Sequence, residues 1–321
     1  VGLNRRHFLA LGTSAALAPL AGPLRASGKI DVVATTGMIA DAARRVGGAH
    51  VEVKALMGPG VDPHSYRQTR SDIVALTRAD LILRHGLYLE AQMEDVFNKL
   101  ARRGTLATVG DAYAPAQLIS HPSYADKFDP HVWMVPGLWS DAVTAIRDAL
   151  SATLPSAQAD FHANAAAYQT DLTALHSYAE TVLATVPEPA RVLLTAHDAF
   201  GYFGRAFGYE VIGIQGISTE SEAGLNRIAE LVDMLVSRRI SAAFVESSVS
   251  DRNVRALIEG AASRGHTVAM GGELFSDAMG RDGSYEGSYL GMIDHNVTTI
   301  ARALGGRAPQ RGMTGRLAAG S

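Results

Sequence analysis

The 321-residue chain contains no cysteine. That absence excludes structural disulfides and thiolate ligands, and it leaves no cysteine for lipid modification at the end of a leader. Charge of one sign is lacking as well: 29 Lys and Arg stand against 32 Asp and Glu, a formal net charge of −3. Such a balance argues against nucleic acid as a partner, for which a basic patch is expected. Beyond the first 27 residues no apolar run approaches the ~20 residues of a membrane-spanning helix. The signatures HExxH, GxSxG and GxxxxGK[ST] are also missing, so the commonest metalloprotease, serine hydrolase and phosphate-loop chemistries have no local support.

The amino terminus does carry a pattern. Residues 1–27 hold Arg5 and Arg6, then an apolar stretch from Phe8 to Leu20 interrupted by small residues. This resembles a twin-arginine export signal, with cleavage expected near Ala26. The alternative is a frayed tail on a cytoplasmic protein. With the leader and the missing cysteine taken together, the expectation is a soluble periplasmic protein that is not lipid-anchored. Loss of Arg5, Arg6 and Arg25 with the leader makes the remainder more acidic.

From Ile30 onward, short apolar runs alternate with helical stretches. KIDVVATT, VEVKALM, DLILRHG and TLATVG read as strands separated by amphipathic segments. The same alternation resumes after Pro187 with ARVLLTAH, EVIGIQG, AAFVES and TVAMGG. Repeated β–α order predicts α/β architecture with largely parallel sheets. Between the two series, residues 155–187 are rich in alanine and contain no glycine. They predict one connecting helix of about thirty residues, unusually long for a globular protein; two shorter helices with a kink are the alternative. The resulting division is a leader (1–27), an N-terminal lobe (28–154), the connecting helix (155–187) and a C-terminal lobe (188–321). Ligands of such folds bind in the crevice outside the carboxyl ends of the strands.

Four side chains fall where that crevice is expected. His64 lies in GVDPHSY, His131 in FDPHVW, His197 in LLTAHDAFGYF and Asp277 in ELFSDAMG. Each sits beside a turn signal or just after an apolar strand. Proline stiffens the loops before His64 and His131. Two of the four precede the connecting helix and two follow it, so a shared site would join the lobes. Three neutral imidazoles and a carboxylate form a complete donor set for one divalent transition metal. Taken singly, each histidine is more often a surface or hydrogen-bonded residue. His162 and His176 are expected to face solvent, and His50, His266 and His295 to lie at helix ends or the surface. His85 and His121 are expected near the cleft but outside the donor set, and His7 belongs to the leader.

The motifs GVDPHSY, HGLYLE, DPHVW, TAHDAFGYFGRAFGYE, GIQGISTESEAG, FVESSVS and GGELFSDAMG, in that order, resemble the TroA-like receptors of zinc and manganese ABC importers. The resemblance spans essentially the whole chain after the leader. It implies two Rossmann-like lobes bridged by a single helix, with His64, His131, His197 and Asp277 as ligands of Zn2+ or Mn2+ and limited closure on binding. It also implies a cognate ABC permease in the inner membrane as partner, with the metal as cargo and no catalytic cofactor. From the same motifs, Glu246 is a candidate for orienting a ligand imidazole, and Asp62 and Asp129 for accepting hydrogen bonds from the local backbone or from ligand N–H groups. Trp133, Phe200 and Tyr202 are expected to wall the cleft or pack in the core. The stretch between His64 and His131 lacks the histidine-rich loop of dedicated zinc receptors, which places the chain nearer the mixed zinc and manganese branch. The rival functions are a metal-dependent hydrolase, an adhesin-like protein of the same fold, and a receptor for a small organic solute. Nothing in the sequence calls for an oligomer.

Overall fold

The computed structural model describes residues 28–122 and 124–318. The export-signal reading of residues 1–27 therefore lies outside the described residues. The first lobe begins with β1 (Ile30–Ala34) and α1 (Gly37–Gly47), then β2 (Val51–Ala55) and α2 (Arg70–Arg78). It continues with β3 (Leu81–Arg84), α3 (Glu94–Ala101) and β4 (Leu106–Thr108), and ends in α4 (Pro136–Thr153). Its four strands pair in the order β2-β1-β3-β4, all parallel. Local chemistry sets the helix starts. The Thr36 hydroxyl caps α1, and Thr69 with Asp72 forms a reciprocal capping box on α2.

The connecting helix α5 (Gln158–Leu183) is 26 residues long, preceded by a single turn of tighter helix at Pro155–Ala157. It is one unbroken helix, as the composition predicts. Its buried stripe runs Phe161, Ala165, Tyr168, Leu172, Leu175, Ala179 and Val182, alternating steps of four and three. That spacing holds one face toward its neighbours along the whole length. The stripe packs on α1 and α4 of the first lobe and on α9 (Tyr289–Ala303) of the second. His50 also reaches α5, 2.8 Å from Asp160. His162 is exposed, whereas His176 is half-buried against Phe207, contrary to its expected solvent-facing position.

The second lobe contains β5 (Val192–Thr195), α6 (Gly201–Phe207), β6 (Glu210–Gly213) and α7 (Leu225–Ser237). β7 (Ala242–Glu246), α8 (Arg252–Ser263) and β8 (Ala269–Leu274) precede α9. β5 pairs with β6 and β7 with β8, both parallel, and β5 lies against β7. The molecule is thus two α/β lobes with parallel sheets linked by a long helix. One apolar cluster runs from β1 and α1 through α4 and α5 to β5, β7 and α9, so the lobes share a continuous core. No helix among the described residues is long and apolar enough to cross a membrane.

Candidate metal centre

The carboxyl ends of the strands supply the site. β5 delivers His197 two residues beyond its last residue, and β8 leads into the loop carrying Asp277. His64 lies on the loop between β2 and α2, and His131 opens a short turn before α4. All four side chains are buried, and one donor atom from each falls within 4.8 Å of the others. His131 Nε2 stands 3.3 Å from His64 Nε2 and 3.4 Å from His197 Nε2. Asp277 Oδ1 is 3.3 Å from His131 Nε2, while Oδ2 is 3.2 Å from His197 Nε2 and 3.9 Å from His64 Nε2. Donors placed at zinc bond lengths on the corners of a tetrahedron stand about 3.3–3.4 Å apart.

Apart from the imidazole nitrogens that face it, neither Asp277 oxygen has a polar partner among the described residues. A buried carboxylate without hydrogen bonds is costly unless a cation faces it. Burial works against its charge, but His197 and His131 outweigh that and hold its pKa well below the usual carboxylate range. Burial likewise disfavours charge on His131, yet Asp129 and then Asp277 raise it to about 9. His197 is raised well above its ordinary value by Glu246 and Asp277 against the same burial cost. His64 goes the other way, lowered to about 4 chiefly by burial.

The carboxylates singled out in the sequence act differently from one another. Asp129 Oδ1 accepts from both the His131 backbone and its Nδ1, the latter at 2.7 Å. Glu246 does the same for His197, with Oε1 2.8 Å from the backbone nitrogen and Oε2 2.5 Å from Nδ1. Each fixes a ring so that Nε2 faces the centre. Asp62 does not touch the His64 ring; it accepts the His64 backbone N–H at 2.9 Å. Trp133 is fully buried with its ring centroid 5.1 Å from that of His131, and its Nε1–H donates to the Ser276 carbonyl in the other lobe at 2.8 Å. Tyr202 donates to the Asp129 carbonyl at 2.7 Å. Phe200 packs in the core against Phe203.

Sequence reasoning left His85 and Glu90 without a role. His85 is buried and kept neutral, its pKa lowered to about 3 mainly by burial. Its Nε2–H donates to the Pro130 carbonyl at 2.8 Å, steadying the residue before His131. The buried Glu90 carboxylate accepts from the His85 and Gly86 backbones and from Thr35. The sequence HGLYLE held the only clue, a strand end followed by an acid in an apolar setting. His121 lies beside the cleft cavity and outside the cluster, while His266 and His295 bond to backbone carbonyls elsewhere.

A crevice between parallel α/β lobes, closed around buried imidazoles and an unpartnered carboxylate, defines a solute receptor built to hold a metal cation. The comparisons with known proteins agree. Residues 32–303 match the family model described as zinc-uptake complex component A, periplasmic. The chain is 48% identical to the manganese-binding lipoprotein MntA of Bacillus subtilis over 277 residues, covering 86% of this chain and 90% of that one. It is 46% identical to the zinc-binding protein TroA of Treponema pallidum over 279 residues, 87% of this chain and 90% of the other. The solved structure of the periplasmic zinc-binding protein TroA superposes with a TM-score of 0.84 over 86% of this chain and 99% of that one, at 46% identity. The chain belongs to the TroA/ZnuA-like family of periplasmic metal-binding receptors of ABC transporters. Membership implies a cognate ABC permease and a transported metal ion.

One expectation is overturned. MntA of B. subtilis is a lipoprotein, as is the metal ABC transporter substrate-binding protein FimA of Streptococcus parasanguinis, 29% identical over 286 residues. Lipid attachment at a membrane is thus the pattern among relatives, and the expectation of a soluble receptor without an anchor is corrected. That expectation stepped from a missing cysteine to a missing anchor. The lipoprotein relatives overturn that step.

Proposed function

We propose that His64, His131, His197 and Asp277 together hold one Zn2+ or Mn2+ ion as cargo for the permease, with Asp129 and Glu246 orienting two of the imidazoles. The observation that carries this reading is Asp277, whose two buried oxygens have no partner among the described residues apart from the imidazole nitrogens they face. Three nitrogens suit zinc, and a carboxylate offering both oxygens raises the donor number to five, which manganese accepts more readily. MntA binds manganese and TroA binds zinc by name, which supports both ions as cargo here. Zinc is expected to bind more tightly. A centre surrounded by protein donors favours carriage over hydrolysis, since an activated water needs an open position.

All four ligands come from one chain, so a monomer suffices. The division that fits this role is a leader (1–27), a first lobe (28–154), the connector (155–187) and a second lobe (188–321). The test is metal content of protein purified from cells, with a chelator-buffered competition between zinc and manganese on demetallated protein. One tightly held ion per chain is expected. Protein that neither carries nor titrates either ion would reject the assignment.

A further inference from the structure

His64 is held differently from the other two imidazoles. Asp129 fixes the His131 ring and Glu246 the His197 ring, but among the described residues no carboxylate outside the cluster bonds to the His64 ring. Of the four clustered residues, His64 alone lines the adjoining cavity of about 330 Å³, walled by Leu87, Tyr88, Tyr124, Phe128 and Ile217. Its position depends on the loop between β2 and α2, and Asp62 organises that loop. Asp62 Oδ1 accepts the His64 backbone N–H at 2.9 Å, and Oδ2 accepts Ser65 Oγ at 2.8 Å. The third bond to Asp62 comes from across the cleft: Thr219 Oγ1, in the loop between β6 and α7, donates to Oδ2 at 2.6 Å.

We infer that Thr219 is a positioning residue for His64, acting through Asp62 from the opposite lobe, and that this bond sets how long the metal stays. The inference rests on His64 being a ligand. The bonds from His64 and Ser65 to Asp62 are internal to the loop and persist whether or not the lobes are together. The Thr219 bond exists only while the two loops meet. Losing it frees the loop to carry His64 toward the cavity and opens the coordination sphere on that side. The interlobe bonds beside the other ligands, Trp133 to Ser276 and Tyr202 to Asp129, do not involve the Thr219 hydroxyl.

The test uses the purified chain loaded with zinc and mixed rapidly with excess chelator. Thr219→Val removes the hydroxyl at nearly constant volume, and Thr219→Ser keeps it. A hydrogen bond to a charged acceptor, partly exposed, corresponds to a dissociation rate about tenfold faster in T219V. The expected pattern is that acceleration in T219V, a wild-type rate in T219S, and association rates alike in all three. Equal rates in T219V and wild type would overturn the assignment, as would T219S releasing zinc as fast as T219V. A wild-type chain that takes up no zinc would instead be the failure of the metal reading itself, and the inference would fall with it.

Discussion

Glu246 grips His197 twice, through the backbone nitrogen at 2.8 Å and the ring Nδ1 at 2.5 Å. The first bond fixes where the residue sits and the second fixes which ring nitrogen faces the centre. Replacing Glu246 with Gln keeps the size but removes the charge that favours this tautomer. Zinc affinity is expected to fall about 10–100-fold, read by chelator competition. An unchanged affinity would show that the carboxylate does not tune the ligand.

The same pair changes how ligand deletion should be tested. Removing His197 leaves Glu246 buried without its ring partner, a defect that costs about 3–5 kcal/mol of stability in its own right. Among the described residues no carboxylate outside the cluster bonds the His64 ring, so His64→Ala is the cleaner variant. It should keep the metal-free melting temperature and lose most of the rise that zinc produces. In the wild type, zinc at a hundred times its dissociation constant adds about 2.7 kcal/mol of stability. A full zinc-induced rise in H64A would remove His64 from the ligand set.

Protons compete with the metal for two of the four ligands. In the metal-free chain His131 is raised to about 9 and His197 is also raised well above its ordinary value, while His64 is lowered to about 4 and Asp277 stays ionised. At neutral pH, binding must therefore displace protons from His131 and His197. Apparent affinity should fall as pH drops from 8 to 6, about tenfold per unit for each proton displaced. Calorimetry in buffers of different ionisation enthalpy reads the protons directly, and no release at pH 7 would contradict the arrangement.

The linkage also has a sign for folding. A histidine raised above its unfolded value stabilises the fold fully below about 6.5 and loses that contribution as pH rises through the folded value, here about 9 for His131. The metal-free chain should thus lose stability between these values, and the zinc-loaded chain should not share that loss. Denaturant titrations of both forms at pH 6.5 and 9 would check it; parallel behaviour would speak against charged imidazoles in the empty site.

Leu172 sits mid-way along the α5 stripe in the core common to both lobes. Leu172→Ala should cost about 2–5 kcal/mol and lower a single cooperative transition. Two separated transitions in the variant would mean that the lobes fold independently of the connector.

Much of this architecture was legible in the sequence because it is local. Apolar runs such as VLLT and LILR announce strands, and a glycine-free, alanine-rich stretch announces α5. The residues at the strand ends and after Asp-Pro pairs are those the fold draws together: His64, His131, His197 and Asp277. Asp129 bonds both the His131 ring and its backbone and Glu246 bonds the His197 ring, while Asp62 takes the backbone alternative. What could not be read is whatever depends on docking one lobe against the other. Trp133 reaching Ser276 and Thr219 reaching Asp62 span 143 and 157 residues, and no periodicity or turn signal encodes such a pairing. The buried chain from Thr35 through Glu90 to His85 lies within the first lobe and was hidden for a different reason, since Thr35 follows β1 while His85 and Glu90 follow β3.

The chain has two tryptophans, and they occupy different surroundings. Trp139 stacks on Tyr289 at 5.3 Å within the core, while Trp133 presents its ring to His131 beside the centre. Any change in the charge of that imidazole alters the field felt by a single indole. Trp133 is therefore placed to act as a built-in optical reporter, and its emission is expected to change as an ion arrives or departs.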